Sequence, residues 1–354
     1  MPLSLPKRRA KRPSVVGLDL EPSHIAAAEV TLNGSLKIDR AAVAPLDGRM
    51  LRDGELSDPD GLAAAISELF ESHQLGRRVR IGLAHQRVVV RTLDLPRLED
   101  RKALDSAVRL QAPDHIPMPM DEAIFDYQVL GPVDTTAGPR TRVVVVAVRR
   151  ETVDRLVGVV RQAKLDLVGI DLSAFAMLRS LDVPPVEDGE AVLYANVGGL
   201  INLAVASGRS CLFTRTAPGG LEALAFTLAD QCSLTLEHAR QWLRHVGTAT
   251  PLEEIDGEAT IVSAARSVLL DGAHEVADTM RNTLNFYRTQ DHAEPVGRAV
   301  ITGPAATVPG FAESVAAGLR LPVEAAGVEA TAELEGVPLE RLVVAAGLAV
   351  HERP

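Results

Sequence analysis

"VVGLDLEPSHIAAAEV", residues 15–30, reads as two apolar strands joined by a tight acidic turn. A strand that ends in an aspartate, turns and comes straight back is how several ATP-binding folds hold a phosphate and its magnesium. The turn here is Glu21-Pro22, where a phosphate calls for glycine. Fold and chemistry are therefore separate questions in this stretch.

The pattern returns in the second half as "AVLYANVGGLINLAVA", residues 191–206, again strand, Asp/Asn, turn, strand. Around the first copy, "SVVGLDL", "HIAAAEVT" and "LKIDRAAVA" predict three strands, with Asn33-Gly34 turning between the second and third. A helix is expected over "DGLAAAISELFESHQL" behind an aspartate cap, then strands over "RVRIGLAHQRVVVRTLDLP". "RLEDRKALDSAVRLQAPDHI" has amphipathic spacing and is expected to stop at Pro113. "IPMPMDEAIFDYQVL" reads as a proline-pinned loop entering a strand. "TRVVVVAVRR" reads as a buried strand and "ETVDRLVGVVRQAKL" as a helix. After the linker 182–190 come the three strands of the second copy, a long helical tract (219–290), strand "RAVITG", helix "GFAESVAAGL" and a last helix near 338–350. A duplicated unit of this kind predicts an α/β fold of two halves facing each other across a cleft, where ligands bind.

The 354 residues suffice for two domains, and 46% hydrophobic with 24% charged residues is ordinary for a globular chain. Only 3% are aromatic and the net charge is −10, which argues against stacking or duplex-binding nucleic-acid surfaces. Cys211 and Cys232 have no partner motif and are expected as buried thiols in a reducing compartment. No run is long enough to span a membrane and no apolar core of a signal peptide follows the start, so a cytoplasmic site is expected. Lys7, Arg8, Arg9, Lys11 and Arg12 form an acid-free leader (1–13) that suits either solvent or an anionic inner leaflet.

In the expected cleft, Asp19 stands at the first strand end as a magnesium and phosphate residue, and Ser23 offers a hydroxyl to phosphate. The second turn offers Asn196, Gly198 and Gly199, and "ITGPAATVPG" (301–310) offers Gly303 to a nucleoside. No HExxH, GxSxG or GxxxxGK[ST] competes, and the nine histidines are scattered.

This order resembles the actin/Hsp70-like ATPases, and specifically the type IV pilus assembly protein PilM family, with cell-division FtsA as a relative. "AVRLQAPDHIPMPMDEAIFDYQVLG" (107–131) carries the most specific likeness, with "GIDLSAFAMLRSL" (169–181) and residues 295–324 in support. The resemblance implies a first actin-like domain at 14–93 and 167–185, an FtsA-type inserted subdomain at 94–166, and a second domain at 190–350 with a helical part near 253–296. It implies ATP with magnesium as the cofactor, if any. Matched to the family's nucleotide residues, Glu21 replaces a glycine, Ala26 a lysine and Asn196 an aspartate. Arg240 and Leu243 stand at the ribose positions, Ile201 and Asn202 where hydroxyls are usual, and Pro304 and Ala305 follow Gly303 in place of glycines. A degenerate, non-hydrolysing cleft is expected. The resemblance further implies an adaptor at the inner face of the cell membrane, holding the cytoplasmic N-terminal tail of a PilN-like inner-membrane protein. Ile116, Pro117, Met118, Pro119 and Met120 are its expected docking face, near the surface. Two alternatives stay open. One is an active or nucleotide-gated ATPase; the other is a type II secretion or FtsA-like filament protein, although "GLAVHERP" carries no amphipathic anchor.

Overall fold

Alternation in the opening stretch becomes a meander: β1 (Val16–Glu21), β2 (His24–Asn33) and β3 (Ser35–Pro45) run antiparallel in turn, with Asp19 opposite Ala26. Gly34 makes the second turn at φ +87°, a conformation glycine adopts without a Cβ penalty. The structure, a computed structural model, describes residues 14–350 except 53, 136–137, 182, 184–189, 209, 291–292, 332–333 and 335. The basic leader with Lys7, Arg8, Arg9, Lys11 and Arg12 lies outside the described residues.

After a small hairpin, β4 (Leu51–Arg52) and β5 (Glu55–Leu56), comes α1 (Pro59–Ser72). Its cap is Asp58, whose carboxylate accepts the Gly61 N–H at 3.0 Å, with Pro59 at the first helical position. Strand β6 (Arg78–Leu83) then pairs in parallel with β1.

The next segment is an insert: β7 (Val89–Pro96), α2 (Arg101–His115), β8 (Ala123–Thr135) and β9 (Gly138–Arg149), with sheet order β7-β9-β8. Leu104, Val108 and Ala112 of α2 cover Leu93, Leu95, Val143 and Val145, while Val90, Val144 and Val148 turn to the parent domain. Burial on both faces explains why "VVVVAV" does not alternate.

Three expectations need correction here. Helix α2 does not stop at Pro113 but runs on to His115, because Pro113 sits on the exposed face and forfeits only a bond to the exposed Arg109 turn. Ile116 is not near the surface: it is 5% exposed, in the insert's core, with Met118 and Met120 half-buried against it and Pro117 and Pro119 exposed. And α3 (Arg150–Gln162) buries Leu156, Val159 and Val160 in the parent core, so the insert's own core is built from residues 89–149 rather than 94–166.

Strand β10 (Asp166–Leu172) pairs in parallel with β6 and leads into α4 (Ser173–Ser180). The second half repeats the plan: the meander β11 (Ala191–Val197), β12 (Ile201–Ser207) and β13 (Ser210–Ala217), then helices, then β14 (Val296–Thr302), α8 and β15. The helical tract is not one run. It comprises α5 (Leu221–Cys232), α6 (Leu236–Val246) and α7 (Ala259–Tyr287), broken at Ser233 and Gly247, both at φ +52°. The remaining elements are α8 (Phe311–Leu319), β15 (Val323–Ala325), β16 (Glu329–Ala330) and α9 (Val343–Ala349). The second sheet is ordered β13-β12-β11-β14-β15, matching β3-β2-β1-β6-β10 of the first, to which β16 is added beside β3.

Helices α4 and α9 fill the layer between the sheets. Ala345 and Ala346 of α9 pack on Ala26, Ala28 and Ile38 of the first sheet. Val343, Val344 and Leu348 meet α4 and then Val192, Tyr194 and Val300 of the second. The layer is thin because its contacts are made by small residues: a Cβ on Gly17 would overlap the Ala345 carbonyl, and one on Gly347 the Ala176 carbonyl. Of the two thiols, Cys211 is buried but Cys232 only half-buried, because it ends α5 at the surface of its core cluster.

Gly347→Ala is expected to lower stability by roughly 1–3 kcal/mol, the cost of overpacking against backbone. Gly158→Ala, in α3 with nothing within 4 Å of the added carbon, is expected to be neutral or slightly stabilising. Urea denaturation of both variants checks this.

Candidate functional site

The two meanders face each other, so the β1–β2 turn of the first half meets the β11–β12 turn of the second. Glu21 crosses the gap: its Oε2 accepts the Gly199 N–H at 2.6 Å. Pro22 lies against the same turn, since a Cβ on Gly199 would stand 2.8 Å from Glu21 Oε2 and 3.0 Å from Pro22 Cδ. The third turn closes in from the side, placing Pro304 Cδ 3.5 Å from a Cβ on Gly198. The second turn is itself braced by α5, whose Glu222 N–H donates to the Gly198 carbonyl at 3.3 Å.

Asp19, Ser23, Asn196, Gly198, Gly199 and Gly303 are thus brought to one cleft, but most of their contacts are spent within the chain. Asp19 is 4% exposed, beside Gly82 and Ser173, with Ala26 across the strand pair where the family's lysine would supply a counter-charge. Burial and then the neighbouring Glu21 push its pKa well above the ordinary carboxylate range, against a hydrogen bond from the Leu20 backbone and one from Ser173. Ser23 turns its hydroxyl to His24 Nδ1 at 3.1 Å and is buried, so it does not face a phosphate. Gly303, at φ +83°, makes its close approach to Asn196: a Cβ there would overlap Asn196 Oδ1.

Glu21 is 5% exposed. Burial raises its pKa to about 7, opposed by the N–H groups of Gly199 and Leu200 and by the charge of Arg341, while Glu222 adds to the rise. His24 is held neutral, its pKa pushed down to about 3 by burial and by Arg341 and Arg240. Arg240, expected at a ribose position, is engaged by Glu222 through Nε at 2.9 Å and again through its terminal nitrogen, and by Glu237 at 3.3 Å. Leu243 is fully buried in the second core.

Beneath the turns, Asn196 is paired in register with Asn202 on β12 and Thr302 on β14. Asn196 Oδ1, Asn202 Nδ2 and Thr302 Oγ1 are buried with no protein partner among the described residues. Glu222, His24, Arg341 and Thr302 were not legible as cleft residues, because nothing in their local sequence marks them.

At the positions a Mg-ATP would use, the Gly199 N–H is already taken by the Glu21 carboxylate, and burial raises the pKa of Asp19.

A second concavity, of about 490 Å³, lies where insert, parent domain and second domain meet. Leu83, Val88, Val90 and Leu172 line one side, and Phe213 and the half-exposed Phe286 the other, with their rings 5.7 Å apart. No helix among the described residues is long and apolar enough to cross a membrane.

The sequence profile of the family described as "Type IV pilus assembly protein PilM" matches residues 17–351. A solved PilM–PilN type IV pilus biogenesis complex aligns over 96% of this chain and 98% of its own, at 24% identity and a TM-score of 0.75. The ethanolamine utilization protein EutJ of Carboxydothermus hydrogenoformans aligns over 97% and 91%, at 18% identity and a TM-score of 0.54. MreB5 of Spiroplasma citri, bound to ADP, aligns over 94% of each chain, at 12% identity and a TM-score of 0.53. The fold is the two-domain α/β fold of the actin-like ATPases.

Because Glu21 holds its proton to a higher pH when folded, the folded state binds more protons than the unfolded one between about pH 4.5 and 7. Stability is expected to fall as pH rises through that window, by on the order of 3 kcal/mol, and to level above it. Glu21→Gln keeps an acceptor but not the titration, and is expected to remove Glu21's share of the slope in urea denaturation at stepped pH and leave that of Asp19.

Proposed function

The chain belongs to the PilM family of type IV pilus assembly proteins, and from that membership we propose a cytoplasmic adaptor of the pilus assembly platform that holds the N-terminal tail of a PilN-like inner-membrane protein and hydrolyses no nucleotide. The observation that carries the docking half is the junction cavity. Its apolar residues Leu83, Val88, Val90, Leu172, Phe213 and Phe286 are interleaved with polar ones, among them Arg91, Arg215 and Asn282, and it lies where the insert joins its parent domain, bounded by the second domain as well. A short apolar tail suits such a space better than the Ile116–Met120 segment, whose Ile116 is committed to the insert's core. Pro117 and Pro119 are the exposed part of that segment and form the rival docking face. The cleft contributes the other half of the reading: Glu21 fills the second turn, and Asn196 offers magnesium no charge.

Tethering through such a tail would place the protein against the inner membrane. Lys7, Arg8, Arg9, Lys11 and Arg12 would then add roughly 1 kcal/mol each on an anionic leaflet.

One observation favours a second reading, a nucleotide-gated adaptor. The buried, unpartnered polar atoms of Asn196, Asn202 and Thr302 belong to register neighbours on three adjacent strands, as groups reserved for a polar ligand would, although Asn202 also lines the junction cavity.

Titration calorimetry of the whole chain with a synthetic PilN-type N-terminal tail is expected to give micromolar binding. Val88→Asp is expected to weaken it at least about tenfold while the Pro117→Ala, Pro119→Ala double variant does not. Loss only in the proline variant would move the tail to that segment, and no binding at all would contradict the adaptor. Mg-ATP in the same cell is expected to give no heat.

A further inference from the structure

We propose that Glu21 is a built-in ligand of the cleft: reaching across from the first domain, its carboxylate takes the amide cradle of the Gly198-Gly199 turn that a phosphate group would otherwise take, and so latches the two domains together. The Gly199 N–H donates to the carboxylate at 2.6 Å, and the backbone of Leu200 next to it favours the ionised form. A turn that presents backbone N–H groups is an anion site in its own right, and a bond to a charged acceptor is among the stronger hydrogen bonds. Arg341 adds a favourable field from the last turn before α9. The site is also full. Carbons built on Gly198 and Gly199 would stand 3.0 and 2.8 Å from Glu21 Oε2, with Pro22 and Pro304 against the same turn.

This is different from decay of a nucleotide site. Loss of a lysine, an aspartate or a glycine weakens binding in proportion to what is lost, whereas Glu21 competes for the donors themselves. A phosphate must therefore expel a buried carboxylate that holds the opposite domain. It follows that one substitution reopens the cradle, although several other positions also depart from the family pattern. Gly198 and Gly199 are explained as well: neither has a positive φ, and a side chain at either would crowd Glu21. The inference goes beyond the adaptor reading and does not rest on tail binding.

The test uses the full chain and inorganic pyrophosphate as probe. In Glu21→Gly, hydrogen exchange at the Gly199 amide is expected to quicken at least about tenfold, because it loses its acceptor. Pyrophosphate, measured by calorimetry, is expected to bind this variant at least about tenfold more tightly than wild type. If Glu21→Gly does not fold, Gly199→Ala reads the same contact from the second domain, its added carbon displacing the carboxylate, and the exchange measurement alone decides. Unchanged exchange at the amide of position 199 in the folded variant overturns the latch. Pyrophosphate binding equally well to wild type overturns the claim that Glu21 occupies the cradle.

Discussion

Everything at the cleft depends on how thin the helical layer between the two sheets is. Gly17 and Gly347 let strand β1, helix α9 and helix α4 approach backbone to backbone, and alanines complete the contact on the first sheet. With that spacing, the turns at the ends of β1 and β11 are near enough for one glutamate side chain to bridge them. A thicker layer would leave Glu21 in solvent and the second turn's N–H groups open. Close packing thus does at the cleft what charge pairing with a nucleotide does in a working ATPase: it gives the two halves a reason to stay closed.

The electrostatics agree with that reading. Glu21 and Asp19 are both buried on the same face of β1, Glu21 helps to raise the pKa of Asp19, and the residue opposite Asp19 is Ala26. Arg240 and Glu222, on neighbouring helices of the second domain, satisfy each other. The cleft is therefore closed by internal pairs rather than emptied. The cavity at the insert junction, by contrast, is open and offers apolar side chains beside the donors of Arg91 and Arg215, and this supports partner binding at the junction over chemistry in the cleft.

Much of the fold was legible in the sequence. Short apolar runs separated by the Glu21-Pro22 and Asn33-Gly34 turns mark the first meander, and the repeat at 191–206 marks the second. The insert's edge was harder to see: the helical pattern of α3 is the same whichever core it faces, and only its contacts assign it to the parent domain. Pro113 misled because a proline ends a helix only where its missing bond or its ring is costly, and here both face solvent. Ile116 looked like a docking residue because an apolar residue beside prolines has no periodicity to show which way it points. The cleft residues Asp19, Asn196, Gly198, Gly199 and Gly303 were readable from turn position alone. That Glu21 is a ligand and not just an obstacle was not, because its acceptor role depends on an amide 178 residues away in the chain.

The most direct measurement is the distance between the two domains in solution, with and without nucleotide. Spin labels on Ser72→Cys and Asp271→Cys, exposed positions in the first and second domains, would be placed in a Cys232→Ser background with Cys211 buried. A cleft closed by its own glutamate gives one narrow distance distribution that millimolar Mg-ATP leaves unchanged. A distribution that shifts or splits when Mg-ATP is added would mean that nucleotide, and not Glu21, sets the closure of the cleft.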